Sequence, residues 1–181
     1  MPLKWIPNII STLRIALVFP ILILIKNGDF GWAIGLFWLA GLSDIADGYL
    51  AKRFNWNTRL GALLDPVADK LLVASLFISL AYSQYIPLWL AAFVISRDVI
   101  IILGAIAYNF LVVPVQGEPT RISKLNTAFQ LLFLSIALGR AGFGWPSDIL
   151  FTSMGVVVLI TVIISGIDYV WSWSRHMRKD A

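Results

Sequence analysis

Four aspartates lie close together in a stretch of the chain that is otherwise strongly apolar. They are Asp44, Asp47, Asp65 and Asp69, and the 181-residue sequence contains only ten acidic residues in all. A carboxylate at membrane depth is costly unless a cation or another partner compensates its charge. Their concentration here therefore indicates either a cation-binding site or a set of ion pairs.

The first two aspartates share one face of a helix. Asp44 and Asp47 are three residues apart, and Gly48 and Ala51 continue the same stripe. The small residues leave room for a ligand to approach the backbone. This stripe predicts one half of a binding site.

The other half lies on the next helix, where Gly61, Asp65 and Asp69 follow one another at intervals of four residues. The two helices are antiparallel and joined by a short loop, so their stripes can face each other and bring four carboxylates together. Like charges at such distances repel one another. Two hard divalent cations with oxygen ligands would relieve the repulsion.

Two other interpretations of the aspartates compete with a metal site. One is a set of interfacial ion pairs with the neighbouring basic residues Lys52, Arg53, Arg59 and Lys70. The other is an ion-coupled transporter, because intramembrane carboxylates also serve as proton or cation relays. The cluster lies at one mouth of the predicted bundle, whereas transporter sites usually lie at the midplane. The two halves of the sequence also show no evident repeat.

The composition indicates an all-α integral membrane protein. Hydrophobic residues make up 59% of the chain and charged residues only 13%, with a mean hydropathy of +0.84. The chain has no cysteine and a single histidine, His176, which excludes the usual zinc sites. A net charge of +4 does not indicate nucleic-acid binding.

Apolar runs and turn residues predict six membrane-spanning helices in a single domain over residues 1–181. Each is close to the roughly 20 residues that cross the hydrocarbon core. A short interfacial segment at 1–8 precedes them, and a basic cytoplasmic tail at 171–181 follows. The spans are 9–25, 30 to a polar loop at 54–58, 59–82, 87–111, 122–138 and 149–170, with a turn at 142–146 before the last.

The distribution of basic residues predicts that both termini are cytoplasmic. The outer connections then hold only Lys26 and Arg140, as the positive-inside rule expects. The acidic cluster lies at the cytoplasmic ends of spans two and three. The inner segments hold Lys4, Lys52, Arg53, Arg59, Arg121, Lys124, Arg175, Arg178 and Lys179.

Two arginines lie within predicted spans. Arg14 is within about one turn of the interface, and we expect it to snorkel toward the head groups in preference to reaching inward to an anionic ligand. Arg97 lies near the middle of the fourth span beside Asp98. A charge there indicates function by default, the alternative being a structural pair with Asp98 or a neighbouring helix.

The acidic stretch resembles the signature of the CDP-alcohol phosphatidyltransferase family at every interval, and the six-span layout resembles the family's fold. The one departure is Lys52 where the family usually has arginine, which keeps the charge but loses the bidentate fork. The pattern is Asp44-x2-Asp47-Gly48-x2-Ala51-Lys52-x8-Gly61-x3-Asp65-x3-Asp69.

This resemblance implies transfer of a phosphatidyl group from CDP-diacylglycerol to an alcohol, with release of CMP. It implies that Asp69 is the general base and also completes a site for two divalent cations, Mg²⁺ or Mn²⁺. It also implies a homodimer. The implied metal ligands are Asp44, Asp47, Asp65 and Asp69, and the implied CDP-binding residues are Asp44, Gly48, Ala51, Lys52 and Gly61.

The acceptor alcohol has to be read from other parts of the chain. Stretches around Arg97-Asp98 and Lys124 resemble CMP-forming cardiolipin synthases, whose acceptor is phosphatidylglycerol. Phosphatidylglycerophosphate synthases, which use glycerol 3-phosphate, usually have Arg-Glu at the first position and a further arginine shortly after it. We expect phosphatidylglycerol as acceptor, Arg97 and Lys124 as its binding residues, and a bacterial cytoplasmic membrane as the location.

Overall fold

The chain folds into α-helices, with no strand among the residues described. A computed structural model describes residues 6–54, 59–111 and 121–177, and within these the side chains of 6–7, 50–52, 59–65, 105–111, 121 and 170–177 are not described. The all-helical prediction is confirmed. The helices are α1 (Ile6–Asn27), α2 (Phe30–Phe54), α3 (Arg59–Tyr82), α4 (Leu88–Leu111), α5 (Arg121–Phe143) and α6 (Asp148–Met177).

Glycines with positive φ end two of these helices. Gly28 has a φ of 83°, and the amide groups of Gly28 and Asp29 donate back to the carbonyls of Ile25 and Leu24. This is the pairing of a Schellman motif. Gly144, with a φ of 67°, donates to the carbonyl of Arg140 and ends α5 in the simpler single-bond manner. Short connections of this kind hold neighbouring helices antiparallel.

Helix α1 packs against both α2 and α3, and α5 packs against α6 and α2. Helix α4 contacts α3 and α6. Aromatic rings join α3, α5 and α6: Phe77 stacks on Phe133 at a centroid distance of 6.0 Å, and Phe133 stacks on Phe151 at 5.2 Å. These ring contacts hold α3, α5 and α6 together in the part of the bundle away from the aspartates.

Three predicted boundaries differ from the structure by three residues or more. Helix α5 extends to Phe143 because Gly142 serves close packing: a Cβ there would lie 2.8 Å from the Cβ of Phe30. The turn therefore falls later than the predicted 142–146. Helix α6 continues through most of the predicted tail, as far as Met177. Helix α1 begins at Ile6 and so includes the end of the predicted interfacial segment, whose residues 1–5 lie outside the described residues.

Over the described residues, three helices are long and apolar enough to cross a membrane: Asn8–Asn27, Ile122–Phe143 and Asp148–Tyr169. The helices that carry the aspartate cluster and the Arg97-Asp98 pair are not among them. They nevertheless expose large apolar side chains, among them Ile45, Ile78 and Leu103. An apolar surface that extends over every helix is typical of a bundle surrounded by lipid.

Candidate active site

A buried arginine contacts three of the four predicted site aspartates. Arg14 Nη1 lies 2.7 Å from Asp44 Oδ1 and 2.5 Å from Asp69 Oδ1, and Nη2 lies 2.7 Å from Asp47 Oδ2. The side chains of Arg14 and Asp47 are 1% and 3% exposed, whereas those of Asp44 and Asp69 are each 41% exposed. The cluster is thus closed to solvent at Asp47, which we call its floor. It is open to solvent at Asp44 and Asp69, which we call its rim.

Three of the four predicted carboxylates converge, and α1 brings them together. Asp44 and Asp47 lie one turn apart on α2, and Asp69 lies on α3. Helix α1 packs against both, while α2 and α3 form no extended contact with each other over the described residues. The described aspartates of the two stripes therefore meet at one guanidinium of α1. Repulsion between the stripes is reduced because the guanidinium lies between them.

The prediction that the Arg14 side chain snorkels toward the head groups is wrong, since its guanidinium is buried and contacts the aspartates. A signal for this is present in the sequence. Asn8 and Ser11 precede Arg14 at intervals of three, and all three are buried. Buried polar residues at helical spacing in an otherwise apolar span mark a face turned toward a polar site.

Two of the four neighbouring basic residues that could have neutralised the aspartates have described side chains, and both contact other groups. Lys70 Nζ lies 2.8 Å from Asp98 Oδ1 on α4. Arg53 donates to the hydroxyl of Tyr49 at 2.9 Å, one turn earlier on the exposed side of α2. Among described side chains, the ion pairs of the aspartate cluster are thus made by Arg14.

Gly48 provides open space beside the cluster. A Cβ placed on it would meet nothing within 4 Å. It follows Asp47 directly on the stripe predicted to meet the nucleotide. The side chains of the other predicted ligand contacts, Ala51, Lys52, Gly61 and Asp65, lie outside the described residues.

Arg97 is the centre of a second polar network. Its side chain is 5% exposed, its Nη1 lies 2.7 Å from Asp98 Oδ1, and its Nη2 donates to Ser123 at 2.9 Å and to Ser165. The network ties α4 to α5 and α6, and through Lys70 it also reaches α3. The structural pairing of Arg97 with Asp98 and neighbouring helices is therefore present.

Lys124, the other predicted acceptor residue, is next in sequence to a member of this network. Ser123, which accepts from Arg97, directly precedes the exposed Lys124 on α5. Lys70 directly follows Asp69 on α3. Through Asp98, the Arg97 network thus contacts Lys70, which is the residue after Asp69 of the aspartate cluster.

Deeper on α5, two amides face the interior of the bundle. Asn126 accepts a hydrogen bond from Thr161 at 3.0 Å. Gln130 is fully buried, and neither atom of its amide has a hydrogen-bond partner among the described residues. Asn126 and Gln130 are four residues apart and so share this face of α5. They extend the polar side of α5 beyond Ser123 toward the middle of the bundle.

The donor chemistry of the cluster suits a hard divalent cation, because carboxylate oxygens are the ligands that Mg²⁺ and Mn²⁺ prefer. In the described arrangement one oxygen from each of Asp44, Asp47 and Asp69 contacts Arg14. No group of three acidic, histidine or cysteine side chains is close enough to hold an ion among the described residues, which exclude the side chain of Asp65. A cation entering this cluster would thus share its oxygens with the guanidinium.

Comparison with known proteins identifies the family. The family model for CDP-alcohol phosphatidyltransferases matches residues 4–167. The chain belongs to the CDP-alcohol phosphatidyltransferase family. The family predicted from the aspartate spacing is thereby confirmed.

Similar relatives include two kinds of enzyme by name. A rat protein named cardiolipin synthase (CMP-forming) is 35% identical over 91% of this chain and 60% of its own length. A Streptomyces coelicolor protein of the same name is 36% identical over 77% of this chain and 72% of its own length. A Pseudomonas fluorescens protein named CDP-diacylglycerol–glycerol-3-phosphate 3-phosphatidyltransferase is 34% identical over 96% of this chain and 88% of its own length. The chain spans about 60% of the length of the rat and human relatives.

Proposed function

We propose that this protein transfers a phosphatidyl group from CDP-diacylglycerol to phosphatidylglycerol, forming cardiolipin and releasing CMP. The observation that carries the proposal is the convergence of Asp44, Asp47 and Asp69 on one buried guanidinium. These are the positions at which the spacing matches the family signature. Membership of the family supports the reaction class.

In this reaction the acceptor hydroxyl oxygen attacks the phosphorus that carries diacylglycerol. A new P–O bond forms, the bridging P–O bond to CMP breaks, and CMP leaves with the bridging oxygen. Asp69 takes the hydroxyl proton on a carboxylate oxygen, the role of a general base. Its partial exposure supports this role, because the acceptor has to reach it.

Asp44, Asp47, Asp65 and Asp69 would hold the divalent cations, Mg²⁺ or Mn²⁺. When bound, these cations neutralise the diphosphate and stabilise charge on the departing CMP. The open space at Gly48 favours a nucleotide lying against α2. Ala51, Lys52 and Gly61 complete the proposed nucleotide contacts.

The proposed acceptor has an anionic head group, which the basic residues Arg97 and Lys124 would suit. Lys124 is exposed and able to meet a phosphate directly, while Arg97 is engaged by Asp98 and two serines. The turn that follows Arg97 contains no further base, and Ile102 and Leu103 on it are exposed. An apolar surface there favours a lipid acceptor over a small, doubly charged one.

Glycerol 3-phosphate is the second candidate acceptor. The observation that favours it is the Pseudomonas fluorescens relative, whose name specifies that acceptor and which matches along 88% of its length. With this acceptor the product would be phosphatidylglycerophosphate. The same aspartates would act in both reactions.

The proposal includes six membrane-spanning helices with both termini and the active site on the cytoplasmic side, in a bacterial cytoplasmic membrane. Trp32, Trp89 and Trp145 are exposed near the ends of helices opposite the aspartates, as expected for an outer interface. Basic residues concentrate at the other end. A homodimer is part of the proposal by analogy with the family.

Product analysis separates the two acceptors. The purified protein in lipid nanodiscs, with Mg²⁺ or Mn²⁺ and CDP-diacylglycerol, receives either phosphatidylglycerol or glycerol 3-phosphate. We expect CMP and cardiolipin in equal amounts with the first acceptor. Phosphatidylglycerophosphate as the sole product would assign the second acceptor, and no CMP with either acceptor would refute the reaction class.

A further inference from the structure

Arg14 occupies a position that the family signature does not include. It lies on α1, outside the stretch from Asp44 to Asp69, yet its guanidinium contacts an oxygen of three of the four signature aspartates. A guanidinium presents five N–H donors in a rigid fork and so can bridge several carboxylates, which a single ammonium group cannot do with the same geometry. The planar fork is matched to this three-way contact.

The charges of the cluster indicate what this arginine does. Three described aspartates and one arginine leave two negative charges, and Asp65 would add another. Four aspartates and two divalent cations would sum to zero, so without Arg14 the positive charge offered to an anionic diphosphate would come from Lys52 of the proposed nucleotide site. With Arg14 the loaded site is positive.

Because of these contacts, Arg14 and a metal ion would compete for the same carboxylates. Arg14 contacts one oxygen of each of three carboxylates that a hard cation would use as ligands, and the guanidinium and a divalent cation repel each other at this range. Because Arg14 is 1% exposed, little solvent screens that repulsion.

From these contacts we propose that Arg14 is the resident counter-cation of the aspartate cluster. It gathers Asp44, Asp47 and Asp69, competes with divalent cations for these carboxylates, and adds positive charge that attracts the diphosphate. The inference rests on the proposed function in that it takes the cluster to be the metal site. Arg14 is thus a positioning residue whose removal has opposite effects on metal and on nucleotide binding.

The test measures Mn²⁺ binding to the purified protein without any substrate, by the electron paramagnetic resonance signal of free Mn²⁺. Arg14→Gln should bind Mn²⁺ at least about tenfold more tightly than the wild type, because a competing cation is gone. Its affinity for CDP in saturating Mn²⁺ should fall by at least about tenfold. A merely structural role would weaken both.

Arg140→Gln is the matched control, since it removes another arginine of the same bundle, whose described carboxylate partner Asp148 lies at the opposite end from the aspartates. It should leave the Mn²⁺ affinity within about twofold of the wild type. If Arg14→Gln does not fold, two other variants replace it. One is Arg14→Lys, and the other is a double variant that carries both Arg14→Gln and Asp47→Asn. The lysine should give an intermediate Mn²⁺ affinity, and the double variant should regain thermal stability in EDTA.

Several results would overturn the inference: Mn²⁺ binding by Arg14→Gln that is equal to or weaker than that of the wild type, no Mn²⁺ binding by either protein, or a double variant no more stable than Arg14→Gln. None of these measurements needs CDP-diacylglycerol or an acceptor. A failure to find phosphatidyl transfer would therefore leave this test intact, and a failure here would leave the transfer assay intact.

Discussion

Arg14 and Asp47 form an ion pair that is buried on both sides, although 33 residues separate them in the sequence. Nη2 and Oδ2 are 2.7 Å apart, and neither side chain is more than 3% exposed. The pairs of Arg14 with Asp44 and Asp69 are open to solvent on the aspartate side. Aspartates that look equivalent in the signature therefore occupy different electrostatic environments.

Asp47→Asn should destabilise the protein more than Asp44→Asn. Removing one partner of a buried ion pair leaves the other charge uncompensated, at a cost of up to about 3–5 kcal/mol, whereas exposed pairs contribute about 0–1 kcal/mol. We expect the apparent Tm of Asp47→Asn in EDTA to lie at least about 3 °C below that of Asp44→Asn. Thermal unfolding in one detergent measures both variants. Equal values would contradict the distinction between floor and rim.

Asp69→Asn should abolish most turnover without preventing substrate binding. Loss of a general base lowers kcat by about 10²–10⁴-fold, while the KM for CDP-diacylglycerol should change little if Asp44, Asp47 and Asp65 still hold the cations. CMP release measures the effect. Asp148→Asn is the control, because Asp148 is an exposed carboxylate at the opposite end of the bundle. Wild-type kcat in Asp69→Asn would refute its assignment as base.

The sequence was sufficient to predict the helices and the aspartates, because both depend on local patterns. Residues three or four apart share a helix face in any context, so the stripe of Asp44 and Asp47 follows from spacing alone. The start of α2 at Phe30 and both ends of α3 agree with prediction for the same reason.

The spacing of the aspartates could not predict that a residue of α1 contacts them. Arg14 is 55 residues from Asp69, and their contact depends on how α1 packs between the two acidic helices. The side chain of an arginine near a membrane interface can point toward the head groups or into the bundle, and the local sequence does not decide between these two directions. Gly142 is ambiguous in a similar way. A glycine near a loop suggests a turn, but here the lack of a Cβ allows Phe30 to pack closely against the helix.

Gly48→Ala should fold normally and bind nucleotide poorly. A Cβ at this position meets nothing in the protein within 4 Å, and alanine favours a helix over glycine by about 1 kcal/mol. If the nucleotide lies against this part of α2, the methyl group would obstruct it and raise the KM for CDP-diacylglycerol about tenfold or more.

Gly35→Ala is the control for that substitution. Gly35 lies on the same helix, also with nothing within 4 Å of a built Cβ, but about 20 Å away along the axis. It should gain the same helix stability and keep the wild-type KM. A Gly48→Ala enzyme with unchanged KM would place the nucleotide elsewhere.

Lys124→Gln and Arg97→Gln should separate binding of the acceptor from support of the fold. Lys124 is exposed, so its loss should raise the KM for the anionic acceptor several-fold and leave the apparent Tm within about 1 °C. Arg97 holds Asp98, Ser123 and Ser165 together, so its loss should lower the Tm by several degrees. Acceptor titrations at saturating CDP-diacylglycerol measure the first effect, and thermal unfolding measures the second. If Lys124→Gln left the acceptor KM unchanged while Arg97→Gln raised it without loss of stability, the roles proposed for the two cations would have to be exchanged.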